Sequence, residues 1–153
     1  MRRTAALACV LLIAATASCG EDRNDAGGPG TPHGTAPPGG VAINGTVREW
    51  RITLDVNKVK AGPVKFTAAN LGTITHEFVV IRTDYAEGKI PMDGDRFNED
   101  GEGVSSPGEL GEFEPTIAKD TVLNLEPGHY QIVCNLPGHY HNGMHAELDV
   151  VAA

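Results

Sequence analysis

Cys134, His139 and Met144 recur at equal five-residue steps along Cys134-Asn135-Leu136-Pro137-Gly138-His139-Tyr140-His141-Asn142-Gly143-Met144. Fully extended, these ten steps would span roughly 33 Å. Pro137-Gly138 and Asn142-Gly143 lie between the three, and both dipeptides are strong turn formers. Two turns fold the length back until thiol, imidazole and thioether face one point. Such soft donors together with imidazole suit copper, and one Cys with two His and a weak axial Met describes a blue-copper electron-transfer site. The second histidine must come from elsewhere. His76, just before the apolar run Phe78-Val79-Val80-Ile81, is the candidate.

The elements that must hold these donors read as strands. Trp50, Ile52, Leu54 and Val56 alternate with Arg51, Thr53, Asp55 and Asn57, the period of a half-buried strand. Val41, Ile43 and Val47 have the opposite parity, which places a bulge or turn near Arg48-Glu49. Lys58 to Pro63 reads as a turn. Val64 to Ala68, Phe78 to Arg82, Thr121 to Leu125, Tyr130 to Cys134 and Ala146 to Val151 read as further strands. About seven short strands between Gly/Pro turns predict an all-β antiparallel sandwich. Aromatic residues make up only 5%, so its core rests on Val, Ile, Leu and Ala.

Cys134-x4-His139-x4-Met144, preceded by Tyr130-Gln131-Ile132-Val133, resembles the ligand loop of the cupredoxins, the kin of plastocyanin, azurin and sulfocyanin. Ala61-Gly62-Pro63-Val64-Lys65-Phe66, Asn70-Leu71-Gly72 and Thr75-His76-Glu77-Phe78 resemble the family's first-histidine region, so the likeness covers most of residues 41–153. It implies a Greek-key β-sandwich of about seven to eight strands with one type 1 copper on His76, Cys134, His139 and Met144. It also implies that the electron leaves by the His139 edge, within a surface formed by Leu136, Pro137, His139 and Tyr140. Two positions depart from the pattern. Glu77 follows the first histidine where many relatives have Asn, and Asn135 follows the cysteine where Ser or Thr is usual.

With all four positions filled by protein, no place is open for substrate, as a catalytic metal would require. The expected function is a mononuclear copper electron carrier, not an enzyme, serving a redox protein such as a cytochrome or a copper oxidase. The alternative is a copper-trafficking or storage protein, which would favour exposed, exchangeable Met and His ligands. A binuclear copper centre needs two bridging cysteines, and only Cys134 is available.

Residues 84–114 interrupt the strand rhythm with ten carboxylates against two cations, Lys89 and Arg96. Their −8 equals the charge of the whole chain, so the remainder is balanced. The segment's glycines predict a long, solvated acidic loop with one short helix near Tyr85–Lys89. EF-hand spacing fails, because Phe97 stands where a ligand should. His129, His141 and His145 are expected at the surface.

The overall −8, with no basic stripe, gives no sign of nucleic-acid binding. Arg2-Arg3, the short apolar run Ala5 to Ala17 and the lipobox-like Thr16-Ala17-Ser18-Cys19 mark residues 1–18 as a signal peptide. Cys19 then carries lipid and anchors the chain to the outer face of the cell membrane. Simple cleavage would leave it periplasmic or secreted. Residues 19–40 read as a disordered Gly/Pro-rich tether with a reach of roughly 25 Å, and residues 41–153 as the domain. After export Cys134 is the domain's one thiol, and a metal is the simplest occupant for it.

Overall fold

The structure, a computed structural model, describes residues 33–153. The expected signal peptide, Cys19 and most of the tether lie outside the described residues. The chain runs through β1 (Val41–Arg48), β2 (Arg51–Leu54), β3 (Lys58–Lys60), β4 (Gly62–Asn70) and β5 (His76–Thr83). It continues with β6 (Met92–Asp93), β7 (Arg96–Phe97), β8 (Val104–Phe113), β9 (Ala118–Leu125), β10 (Gly128–Val133) and β11 (His145–Val151). No helix occurs among the described residues.

Two sheets face each other, ordered β2-β1-β4-β9 and β3-β11-β10-β5-β8, and β6 with β7 forms a separate small hairpin. Most pairings are antiparallel, as a Greek-key sandwich requires, while β1 with β4 and β3 with β11 are parallel. The expected turn at Arg48-Glu49 is the β1–β2 connection, where the alternation changes parity. Ile43, Val47, Ile52, Phe66, Phe78, Val80, Ile132 and Leu148 fill the space between the sheets. Burying one such side chain contributes about 1.5–3 kcal/mol.

Four expectations are corrected here. Trp50 is 44% exposed and lies in the β1–β2 turn, and Val56 also faces outward, so the inward stripe reduces to Ile52 and Leu54. Lys58 to Pro63 is no plain turn, because Lys58–Lys60 pairs with the end of β11. Tyr85–Lys89 forms bends and turns in place of a helix. The predicted tether ends early: Gly34 N–H donates to Asn44 Oδ1 at 2.8 Å, laying residues 33–40 along the first sheet.

The largest difference is the acidic segment. Val104–Phe113 is a ten-residue strand on β5, with two register shifts that suit an edge strand carrying Pro107. Irregular backbone is confined to residues 84–103, and even there the apolar side chains turn inward. Ile90 and Phe97 pack with Val79, Ile81, Val133 and Tyr140 in a second cluster outside the main core. Strand side chains alternate faces, so Phe78, Val80 and Ile132 enter the main core while Val79, Ile81 and Val133 enter the outer one. The site strands β5 and β10 are thereby buried on both faces.

Candidate metal centre

β5 begins at His76 and β10 ends one residue before Cys134, so the second sheet delivers both to the same end of the sandwich. Register links them: Val79 lies opposite Val133. Beyond Cys134 the chain winds through turns over residues 137–143. His139 N–H donates to Leu136 C=O at 2.9 Å, and Met144 N–H donates to His139 C=O at 3.2 Å. Cys134 N–H donates to Met144 C=O at 3.1 Å and closes the loop into a ring. Gly138 adopts φ +77°, a conformation that the following His139 is thereby spared.

The ring brings three donors together. His76 Nδ1 lies 3.4 Å from His139 Nδ1, and Cys134 Sγ lies 3.3 Å from His139 Nδ1. All three atoms fall within 4.8 Å of one another. Two ring nitrogens and a sulfur at these separations match donors placed about 2.0–2.3 Å from one shared ion. His76 and Cys134 are fully buried, and His139 is half-buried. Met144, also fully buried, belongs to the main core beneath the loop.

Burial sets the protonation of this group. Desolvation, with neighbouring His139, lowers the pKa of His76, and desolvation lowers that of His139, which favours neutral imidazoles with free lone pairs. Without a cation, burial pushes the Cys134 thiol up to about 11, although N–H groups of Leu136 and Glu77 point at the sulfur. A bound cation would reverse that preference and hold the thiolate. The donor chemistry therefore fits a soft, thiolate-binding metal.

The two departures from the family pattern prove to be partners. Glu77 N–H donates to Cys134 Sγ at 3.2 Å, and Asn135 N–H donates to the Glu77 carboxylate at 3.2 Å. The histidine strand and the cysteine loop are thus locked through a glutamate. Burial raises the pKa of Glu77 despite that hydrogen bond, and Glu99, Glu109 and Glu112 add to the rise. The Asn135 side chain reaches the other way. Its amide donates to Phe97 C=O at 3.0 Å and Glu99 at 2.8 Å, while its oxygen accepts from Phe97 N–H at 3.1 Å. Gly138 N–H donates to Asp95 C=O at 2.8 Å. The acidic hairpin is therefore fastened to the back of the ligand loop.

Of the expected exit surface, Pro137 is exposed and His139 half-buried, but Leu136 and Tyr140 are buried. The Tyr140 hydroxyl points into the outer cluster, donating to Gln131 at 3.1 Å and accepting from Ile90 N–H at 3.1 Å. Solvent-facing apolar surface at this end comes instead from Trp50, whose ring meets His139 edge-on at 5.0 Å, and from Leu71 and Ile74. A surface groove lined by Trp50, Ile52, Leu54, Glu87, His145 and Glu147 runs beside the cluster and not onto it. His145 pairs with Glu87 at 2.9 Å, His129 with Asp149 at 3.2 Å, and His141 is exposed.

Sequence reasoning missed three residues that shape the site. Asn70 is buried and holds the run into His76: its amide donates to Ile74 C=O at 2.8 Å and Phe113 C=O at 2.9 Å, and its oxygen accepts from Gly72 N–H. Trp50 covers His139. Glu49 accepts from Thr73 N–H and Ile74 N–H, and these bonds, Thr73 foremost, draw its carboxyl down to about 2. Only Asn70 carried a signal, as part of the Asn70-Leu71-Gly72 motif.

The sulfocyanin (SoxE) domain family matches residues 38–153. Among solved structures, auracyanin B aligns with a TM-score of 0.51 at 18% identity, covering 82% of this chain and 96% of its own. Reduced auracyanin from the photosynthetic bacterium Roseiflexus castenholzii aligns at 0.49 and 19% identity, covering 72% and 95%. No curated protein matches the sequence.

Proposed function

The chain belongs to the sulfocyanin family of cupredoxins, and we propose that it is a mononuclear blue-copper electron carrier. The observation that carries this reading is the convergence of His76 Nδ1, Cys134 Sγ and His139 Nδ1 within 4.8 Å. When bound, a type 1 copper would supply a one-electron couple between its +1 and +2 states. Cys134 and the two histidines would hold it, with Met144 as a weaker fourth donor. The protein's part is to keep that geometry fixed. His76 and Cys134 are set by paired strands, His139 and Met144 by a hydrogen-bonded ring.

Trafficking or storage is the weaker reading, because exchangeable copper favours exposed ligands and two of these three are fully buried. The redox partner, a cytochrome or copper oxidase, would dock at the His139 end over Trp50, Leu71 and Ile74. The acidic hairpin lies beside this end, and its field would favour a partner with a basic patch. Export follows the N-terminal reading: residues 1–18 are removed, Cys19 carries lipid, and the domain works outside the cytoplasmic membrane. Cys19→Ala should then move the protein from membranes to the soluble fraction.

One measurement tests the central reading. The copper(II) form of the domain should absorb strongly in the red through its thiolate, and Cys134→Ser should abolish the band while the sandwich stays folded. Met144→Leu should stay blue with a higher potential. A colourless copper(II) adduct of the parent protein would refute the carrier reading.

A further inference from the structure

We propose that Glu49 is a positioning residue for the His76 ligand, a carboxylate set behind the imidazole that holds its outer N–H and favours the oxidised metal. The proposal rests on the copper reading above and deepens it. His76 turns Nδ1 toward the cluster, so the ring's proton belongs on Nε2. That atom is buried and has no hydrogen-bond partner among the described residues. A buried donor without an acceptor is costly, so a nearby oxygen has reason to close on it. Glu49 Oε1 lies 3.6 Å away, a few tenths of an ångström beyond hydrogen-bond distance.

Two further observations show a built arrangement. Glu49 Oε1 is pinned by three donors from the loop before His76: Thr73 N–H at 2.6 Å, Thr73 Oγ1 at 3.2 Å and Ile74 N–H at 3.0 Å. The pinned Oε1 is also the oxygen that faces His76 Nε2. Gly72 lies alongside both groups. A Cβ there would stand 2.8 Å from His76 Nε2, 2.8 Å from Glu49 Oε1 and 2.9 Å from Oε2, closer than side chains tolerate. Only glycine leaves carboxylate and imidazole clear of each other's approach.

The chemistry follows from charge. A carboxylate accepting from Nε2–H raises the basicity of Nδ1 and fixes the ring plane, as such partners do for metal-bound histidines. A more basic ligand favours the doubly charged ion over the singly charged one, so the reduction potential falls. The simpler role, a cap that only shapes residues 72–74, predicts no charge-dependent effect on the metal.

Glu49→Gln separates the two, because glutamine keeps an oxygen for Thr73 and Ile74 but loses the charge. The variant should stay blue and lose about tenfold in copper(II) affinity relative to copper(I), a rise in potential of about 59 mV for one electron. Gly72→Ala should raise the potential in the same direction by pushing the carboxylate aside. In the metal-free protein, imidazole nitrogen NMR should show His76 with its proton on Nε2, exchanging slowly in the parent and faster in Glu49→Gln. Unchanged potential and unchanged exchange in Glu49→Gln would overturn the proposal while leaving a blue parent intact. A parent that never turns blue would overturn both readings.

Discussion

The described residues form two cores, and they are built differently. The inner one lies between the sheets and draws on Ile43, Phe66, Phe78, Ile132 and Leu148, each pointing to the inward face of its strand. The outer one is assembled by a segment that carries ten carboxylates yet contributes Ile90 and Phe97 to cover Val79, Ile81, Val133 and Tyr140. The inner core needs only strand periodicity to form. The outer one depends on particular hydrogen bonds: Tyr140 to Ile90 and Gln131, Asn135 to Phe97 and Glu99. Those bonds come from the ligand loop itself, so the cover and the metal centre share residues. A segment rich in charge can therefore be structural when its few apolar side chains fall in register with a sheet face.

The contrast can be broken first by cavities. Phe66→Ala should cost about 4 kcal/mol in urea denaturation, a large part of an ordinary domain's stability. Phe97→Ala should cost about 3 kcal/mol, because a cover of two-residue strands can settle into the gap. Unlike Phe66→Ala, it should also disturb the visible spectrum of the copper form. Equal losses with unaltered spectra would erase the distinction between the cores.

A smaller effect is expected at the shared residue. Asn135→Ala removes three bonds to the acidic hairpin while sparing the Asn135 backbone N–H that meets Glu77. We expect a loss of about 1–3 kcal/mol, with amide exchange accelerated over residues 90–99 and little changed in β1 and β4. Uniform acceleration across both sheets would mean the cover does not open on its own.

The smallest test compares two tyrosines. Tyr140→Phe orphans the buried Ile90 N–H, whereas Tyr130→Phe leaves only the Glu126 carbonyl, which water can reach. The first should cost about 1 kcal/mol more than the second. A reversed order in thermal melts would place the tighter polar network in the inner core.

Much of this was legible in the chain because the signals were local. Short apolar runs between Gly/Pro turns located β4, β5, β9, β10 and β11, and the Pro-Gly and Asn-Gly dipeptides marked the bends that fold Cys134, His139 and Met144 together. The outer core also left a trace that charge obscured. Phe78-Val79-Val80-Ile81 is apolar at both parities, the mark of a strand covered on both faces, and something had to supply the second cover. Glu49 and Trp50 left no trace. Their contacts with Thr73 and His139 join residues 24 and 89 positions apart, and nothing in the local pattern specifies which turn will meet which loop.

Double burial of β5 and β10 also bears on time. Amides such as those of Val80 and Ile132 can exchange with solvent only when the whole domain opens, whereas the turns over residues 137–143 can fray alone. His76 and Cys134, at the ends of those strands, therefore share the lifetime of the fold, while His139 follows a local fluctuation. An opening of residues 137–143 alone would move His139 and leave His76 and Cys134 where the strands hold them.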